Sequence, residues 1–267
     1  MKTDNSGRTA AEWNAAVYER ISRPQFSWGL KVLEAVSLRG DETVLDAGCG
    51  TGRLTAELLW RLPEGRVIAV DASENMLGIA RRNLSTFGDR VRFLRANASD
   101  LMLGERVDVI FSTAVFHWVT DHPRLFNNLY RTLKSGGRLI AQCGGGPNLA
   151  TLLGRAEALM KTPPYAQYFV GWRSPWEYAD DLTTAGRLRA AGFIDVETGL
   201  EAAPVLLANE QEYREYLTHA IFRVHLLQMG DAELGDQFIS ALAQAASDDD
   251  PPFQLDYWRL NMRARRP

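Results

Sequence analysis

The residues of this chain best able to do chemistry are two aspartates flanking a glycine-rich turn. They stand in Val44-Leu45-Asp46-Ala47-Gly48-Cys49-Gly50-Thr51-Gly52 and at Asp71, which ends the apolar run Val67-Ile68-Ala69-Val70. A strand running into glycines and then into a helix lets a ligand approach the backbone closely. A dinucleotide site has the same outline, so a nicotinamide-dependent dehydrogenase is one reading. Its fingerprint wants small residues at the positions of Gly48, Gly50 and Arg53, and the third is an arginine. A carboxylate at Asp46 would also repel a pyrophosphate. It favours a ligand carrying an ammonium and a sulfonium, as S-adenosylmethionine does. Asp71 stands where an acidic side chain accepts from ribose hydroxyls, a feature both readings share. His117 and Trp118, just past Val107-Asp108-Val109-Ile110-Phe111, are the candidates for a second, reacting ligand.

Positioning these residues needs strands that end where the ligands sit. Thr43-Val44-Leu45, Val67 to Val70, Val91 to Leu94, Val107 to Phe111 and Leu139-Ile140-Ala141 read as five strands. Helical patterns separate them: Arg53 to Arg61, a helix capped by Ser73 with Met76, Ile79, Ala80 and Leu84 on one side, and one opened by Asp121 and Pro123 and closed at Gly136-Gly137. Alternation of this kind predicts a parallel sheet wound on both faces. Residues 10–39 read as two short helices split at Arg23-Pro24. Beyond the fifth strand, Gly144-Gly145-Gly146-Pro147 reads as a flexible exit. Helices are expected at Leu149 to Met160, Asp181 to Ala191, from the capping box of Asn209 and Glu212 onward, and around Leu234 to Leu242. Strands are expected at Phe193 to Leu200 and near Leu255 to Ala264.

Residues 43–143 resemble the class I S-adenosylmethionine-dependent methyltransferases. The resemblance implies a Rossmann-like α/β fold: a seven-stranded mixed sheet with its last strand antiparallel, helices on both faces and a helical cap over the site. It implies residues 1–39 as N-terminal helices covering the site, and 40–267 as the main domain with cap insertions at about 144–180 and 205–252. Gly48 and Gly50 would lie against the methionine moiety of S-adenosylmethionine, with Asp46 near its amino group. Asp71 would bind both ribose hydroxyls, and Ala72 and Met76 would flank the adenine. The family usually has an aspartate after the third strand; here Asn97, beside Ala98, would accept from the adenine amino group through its amide oxygen. Tyr18 and Ser112 complete the implied cofactor shell. Within the family, Trp13-Asn14, Tyr18, Phe116-His117-Trp118-Val119, Asp121 and Leu133-Lys134-Ser135-Gly136-Gly137 are similar to the trans-aconitate methyltransferase-like group of carboxyl methyltransferases.

That likeness makes the expected reaction methyl transfer to a small molecule, with a carboxylate oxygen preferred. Carbon or nitrogen methylation and a non-catalytic cofactor-binding protein are the alternatives, besides the dehydrogenase. A carboxylate acceptor is already ionised and needs no base, so His117 is expected to orient the acceptor rather than take its proton. Trp118 is expected as pocket wall. Arg20, Arg23, Arg173, Arg214 and Arg223 are candidates for clamping an anionic acceptor. Residues 165–178 hold Tyr165, Tyr168, Phe169, Trp172, Trp176 and Tyr178, a density well above the 10% aromatic content of the chain; they serve a lid, a cap core, or both. Thr162-Pro163-Pro164-Tyr165 follows the fifth strand, not the fourth, and reads as a turn. The four histidines show no metal-ligand spacing, so no metal is expected. A net charge of -3 argues against nucleic acid as a partner. The polar stretch Met1 to Arg8, two cysteines and the lack of a long apolar run give a cytoplasmic expectation with no membrane partner. Oligomeric state is left open.

Overall fold

Thr43–Ala47 is buried along its whole length, which suits a strand covered on both faces. In the computed structural model, which describes residues 12–267, it is β1, at the middle of a seven-stranded sheet. The strands are β1 (Thr43–Ala47), β2 (Arg66–Asp71), β3 (Val91–Arg95), β4 (Val107–Thr113), β5 (Leu133–Gly144), β6 (Ile194–Ala202), the short pair β7 (Val205–Leu206) and β8 (Gln254–Leu255), and β9 (Trp258–Arg265). The main sheet runs β3-β2-β1-β4-β5-β9-β6. The pairs from β3 to β5 are parallel, and β9 is antiparallel to both its neighbours. The chain steps from β1 outward to β2 and later back to β4 on its other side. That reversal leaves a crevice at the carboxyl ends of β1 and β4, the usual ligand position in open α/β sheets.

The helices are α1 (Ala15–Ile21), α2 (Arg23–Glu34), α3 (Arg53–Trp60), α4 (Glu74–Asn83), α5 (His122–Thr132), α6 (Ala150–Met160), α7 (Asp181–Ala190), α8 (Glu210–Tyr216), α9 (Arg223–Met229) and α10 (Ala232–Ser247). Alternation along the strands sorts the core into two layers. Val44, Val67, Val109 and Phe111 pack with Leu33 of α2 and Leu58 and Leu59 of α3. Leu45, Ile68 and Ile110 pack with Leu125, Phe126 and Leu129 of α5 and Leu188 of α7. A third core holds α6, α8, α10 and the aromatic segment, with Tyr213, Phe222 and Phe238 at its centre.

Several boundaries differ from expectation. The first two helices part at Ser22, and Pro24 lies in the first turn of α2, where its missing N–H costs nothing. The expected residues 10 and 11, like Met1 to Arg8, fall outside the described residues. Helix α5 stops at Thr132, and Leu133 already pairs with Val107; Gly136, at φ +75°, turns within the irregular start of β5, where the register with β4 shifts, rather than capping the helix. The helix after Asn209 is broken by a π turn over Leu217–Ile221. Asn209 does cap it, accepting from Glu212 N–H at 2.9 Å, while Glu212 reaches Ala208 N–H at 3.3 Å. Gly144 and Gly145 are buried, Gly146 is half-buried, and all three are tightly packed. A Cβ on Gly144 would lie 2.8 Å from Tyr178 Cε1, and one on Gly145 would lie 2.5 Å from Leu260 Cβ. They are glycine because neighbours crowd them, not because the chain must flex.

Candidate active site

Three hydrogen bonds tie the glycine turn to the end of β2. Gly48 N–H and Cys49 N–H both donate to the Val70 carbonyl, at 2.7 and 2.9 Å. Gly50 N–H then donates to Asp71 Oδ2 at 2.9 Å, and Ser73 N–H donates to Asp71 Oδ1 at 2.8 Å. Asp71 is thereby held facing the crevice with lone pairs to spare. Burial pushes its carboxyl up, and the bonds from Ser73 and Gly50 pull it back. Gly48 and Gly50 are glycine for different reasons. At Gly48 (φ +92°) a Cβ would fall 2.0 Å from Val115 Cγ2, so the turn packs against the loop after β4. At Gly50 (φ +54°) a Cβ would meet nothing within 4 Å. That open space beside an acidic side chain and bare backbone is a cradle fitting the methionine and ribose parts of S-adenosylmethionine.

The other residues of the implied cofactor shell are spread around this turn. Asp46 is 2% exposed and accepts from the Thr55 hydroxyl at 2.6 Å. Burial raises its pKa to about 7, against the opposing pull of Thr55. Ser112 is buried and donates to the Ala47 carbonyl at 2.6 Å, joining β4 to β1. Met76 is buried in the first turn of α4, and Ala72 is exposed beside Asp71. Asn97 is exposed, and its amide oxygen accepts from Ser99 N–H at 3.1 Å and Ser99 Oγ at 3.0 Å. Ala98 is buried behind it. Glu12 clamps this end: it accepts from Ser73 Oγ at 2.7 Å and from Arg95 at 3.0 Å.

A cavity opens next to the cradle, over the carboxyl ends of β4 and β5. Tyr18 of α1, His117 and Trp118, Trp176 and Tyr178, and Tyr257 and Arg259 all line it. Ala114, at φ 59°, turns the chain from β4 into this cavity; a left-handed non-glycine residue is the kind of strain found at functional sites. Trp118 meets Trp13 edge-on at 5.7 Å and Trp176 at 5.8 Å. Of the aromatic segment, Tyr165 and Phe169 are buried in the cap core, while Trp176 and Tyr178 face the cavity. The segment therefore contributes rings both to the cap core and to the cavity wall.

His117 is fixed from three sides. Gly144 N–H donates to its Nδ1 at 3.2 Å. Its carbonyl accepts from Glu177 N–H at 2.9 Å. Glu177 pairs with Arg187 at 2.9 Å, and Arg187 donates to His122 Nδ1 at 2.9 Å. His122 Nε2 in turn lies 3.1 Å from the Phe116 carbonyl and braces the turn carrying His117. A backbone N–H can only donate, so His117 Nδ1 must be the acceptor nitrogen and the ring proton sits on Nε2. Burial, with the Arg259 charge adding to it, lowers the His117 pKa to about 3. At neutral pH this imidazole is an uncharged donor.

None of the five arginines expected to clamp an acceptor lines the cavity. Arg20 pairs with Glu215 and Arg214 with Asp236. Arg23 and Arg173 are exposed. Arg223 donates to the Glu12 carbonyl at 2.9 Å and covers the Trp13 ring at 4.5 Å. The arginine that does line it, Arg259, was hidden by the alternation of the last strand. Trp258, Leu260, Met262 and Ala264 mark one face, which makes 259 look like a solvent position; the residue is 3% exposed. Among the described residues, no three His, Cys, Asp or Glu side chains are grouped as metal ligands would be. No helix there is long and apolar enough to cross a membrane.

Comparison with known proteins places this architecture. Residues 44–137 match a family model described as a methyltransferase domain. An uncharacterized methyltransferase of Schizosaccharomyces pombe is 26% identical over 95% of this chain and 98% of its own length. The trans-aconitate 2-methyltransferase of Acidovorax ebreus is 35% identical over 49% of this chain, and the match spans 49% of that enzyme. Among solved structures, the phosphoethanolamine N-methyltransferase 2 of Haemonchus contortus with bound S-adenosylhomocysteine superposes with a TM-score of 0.61. It is 19% identical and the match covers 95% of this chain and 57% of that one, a likeness of fold.

Proposed function

We propose that this chain, a class I S-adenosylmethionine-dependent methyltransferase, methylates a carboxylate oxygen of a small organic acid. The observation carrying the carboxylate is the state of His117. A phenol, an ammonium or a carbon acid must lose a proton to react, and His117 is the side chain best placed to take one. Its Nδ1 lone pair is occupied by Gly144 N–H and its Nε2 already bears a proton. It can donate to an acceptor oxygen but not deprotonate it. A carboxylate is ionised at neutral pH and asks only for alignment and the exclusion of water. The partial likeness to trans-aconitate 2-methyltransferases supports the same choice.

In this reading the bound cofactor supplies a methyl carbon activated by its sulfonium. Asp71 accepts from the two ribose hydroxyls. Gly48 and Gly50 give the backbone room for the methionine moiety, whose ammonium is drawn toward Asp46. Ala72 and Met76 border the adenine, with Asn97 and Ala98 at its edge, Ser112 behind the turn and Tyr18 closing the top. His117 holds one oxygen of the acceptor through Nε2–H. With the cofactor bound, the acceptor oxygen would take the methyl group, the C–O bond forming as the C–S bond breaks and the electron pair staying on sulfur. Trp118, Trp13, Trp176 and Tyr178 keep water from the reacting carbon. Residues 12–39 and the cap insertions at about 144–180 and 205–252 would make up that cover; residues 1–11 lie outside the described residues. The buried, unbridged Cys49 and Cys143 accord with a cytoplasmic setting.

The test is methyl transfer from labelled S-adenosylmethionine to a panel of carboxylic acids, phenols and amines. The expected product carries label that mild base releases as methanol, as a methyl ester must. Label found only in base-stable phenol ethers or methylamines would refute the carboxylate.

A further inference from the structure

We infer that Arg259 is the specificity-determining residue of the acceptor site, and that it holds a second carboxylate of the acceptor which is not itself methylated. The inference rests on the carboxylate reading above and narrows it to acids bearing at least two carboxylates.

Arg259 is a buried charge with no acidic partner among the described residues. Its Nε donates to Gln142 Oε1 at 3.3 Å, and Gln142 Nε2 passes on to Asn261 Oδ1 at 2.7 Å. Its guanidinium lies over the Trp28 ring at 4.6 Å. Tyr178, Tyr216 and Tyr257 surround it, all with pKa values raised by burial and so neutral. Its Nη atoms make no hydrogen bond to the described residues. A buried guanidinium without an anionic partner is unfavourable. Its planar fork is complementary to a carboxylate, which it binds by two parallel bonds. Arg259 lines the same cavity as His117. The strand register sets them side by side: Arg259 is paired with Gly144, whose N–H bonds His117.

Charge bookkeeping across the reaction then assigns the two donors. A carboxylate under methylation loses its negative charge as the C–O bond forms. An ion pair to that group would be stronger in the ground state than in the transition state, and would slow the step. A carboxylate that does not react keeps its charge throughout, so pairing it helps binding without opposing chemistry. The neutral donor His117 suits the reacting group, and the cation Arg259 suits the bystander.

The test compares glutarate, a diacid, with butyrate, a monoacid, as methyl acceptors for native protein, Arg259→Gln and Arg259→Lys. S-adenosylhomocysteine affinity is measured by calorimetry to show that each variant is folded and binds cofactor. Native protein should prefer glutarate. Arg259→Gln should lower kcat/KM for glutarate at least tenfold, mostly through KM, and change that for butyrate less than threefold; uniform binding lost at a bystander group has that signature. Arg259→Lys should recover part of the preference. Equal losses for both acids, or a loss confined to kcat, would make Arg259 a structural residue and overturn the inference while leaving carboxylate methylation standing. A native enzyme that methylates neither acid but labels amines or phenols would overturn both.

Discussion

His117 should make the protein lose stability in mild acid, by an amount its burial sets. In the unfolded chain a histidine titrates near 6.5; in the fold its pKa is lowered to about 3. Between those values the unfolded state binds a proton that the folded state refuses. Stability therefore rises with pH across this window and is lost as pH falls below about 6.5. Going from pH 7 to pH 5, this one group should remove about 2 kcal/mol. Asp46 acts in the opposite direction: its pKa is raised to about 7, so its contribution is lost as pH rises through that value. The two are separated by comparing native protein with His117→Gln, since Asp46 is common to both. Gln can accept from Gly144 N–H, so its replacement adds only an offset independent of pH. Urea unfolding followed by circular dichroism at pH 7 and pH 5 gives the two slopes. The native protein should lose about 2 kcal/mol more than the variant. Parallel losses would mean that His117 titrates normally, and would remove the physical basis for treating it as a neutral donor.

Three other outcomes follow from the site. Asp71→Ala removes an acceptor of charge-assisted bonds worth about 1.5–3 kcal/mol each, so S-adenosylhomocysteine affinity measured by calorimetry should fall at least tenfold in a folded protein; unchanged affinity would rule out the ribose role. Gly48→Ala should lower the melting temperature more than Gly50→Ala, because both adopt positive φ but only position 48 meets Val115, whereas Gly50→Ala should mainly weaken S-adenosylhomocysteine binding. His117→Gln should keep turnover with an acid acceptor within about tenfold of native, while a loss of roughly 10²–10⁴-fold would show that the ring takes a proton.

The sheet was legible because its first strands are apolar and β1, β2 and β4 are each followed by a helix with a one-sided stripe. Leu125, Phe126 and Leu129 are buried where the helical period places them. The glycine turn and Asp71 were legible because close approach and a strand-end carboxylate leave a local signature. What lay hidden depends on contacts between distant segments. Gly144 and Gly145 look like a hinge until Tyr178 and Leu260 are seen against them. Arg259 looks like a surface residue on an alternating strand until Trp28 covers it. The tautomer of His117 depends on a backbone N–H 27 residues away. Nor does sequence show that Ser99 already occupies the Asn97 amide oxygen, because that bond forms only when the chain turns after β3.

The central claim, that no proton has to leave the acceptor, is tested most directly by kcat/KM against pH for methyl transfer to a carboxylic acid. A carboxylate is almost fully ionised, and His117 neutral, across about pH 6.5 to 8.5. With S-adenosylmethionine saturating, so that titration of Asp46 does not limit cofactor binding, the rate should be flat there. A rate that climbs about tenfold per pH unit through the neutral range would mean that a base is at work, and would contradict the account.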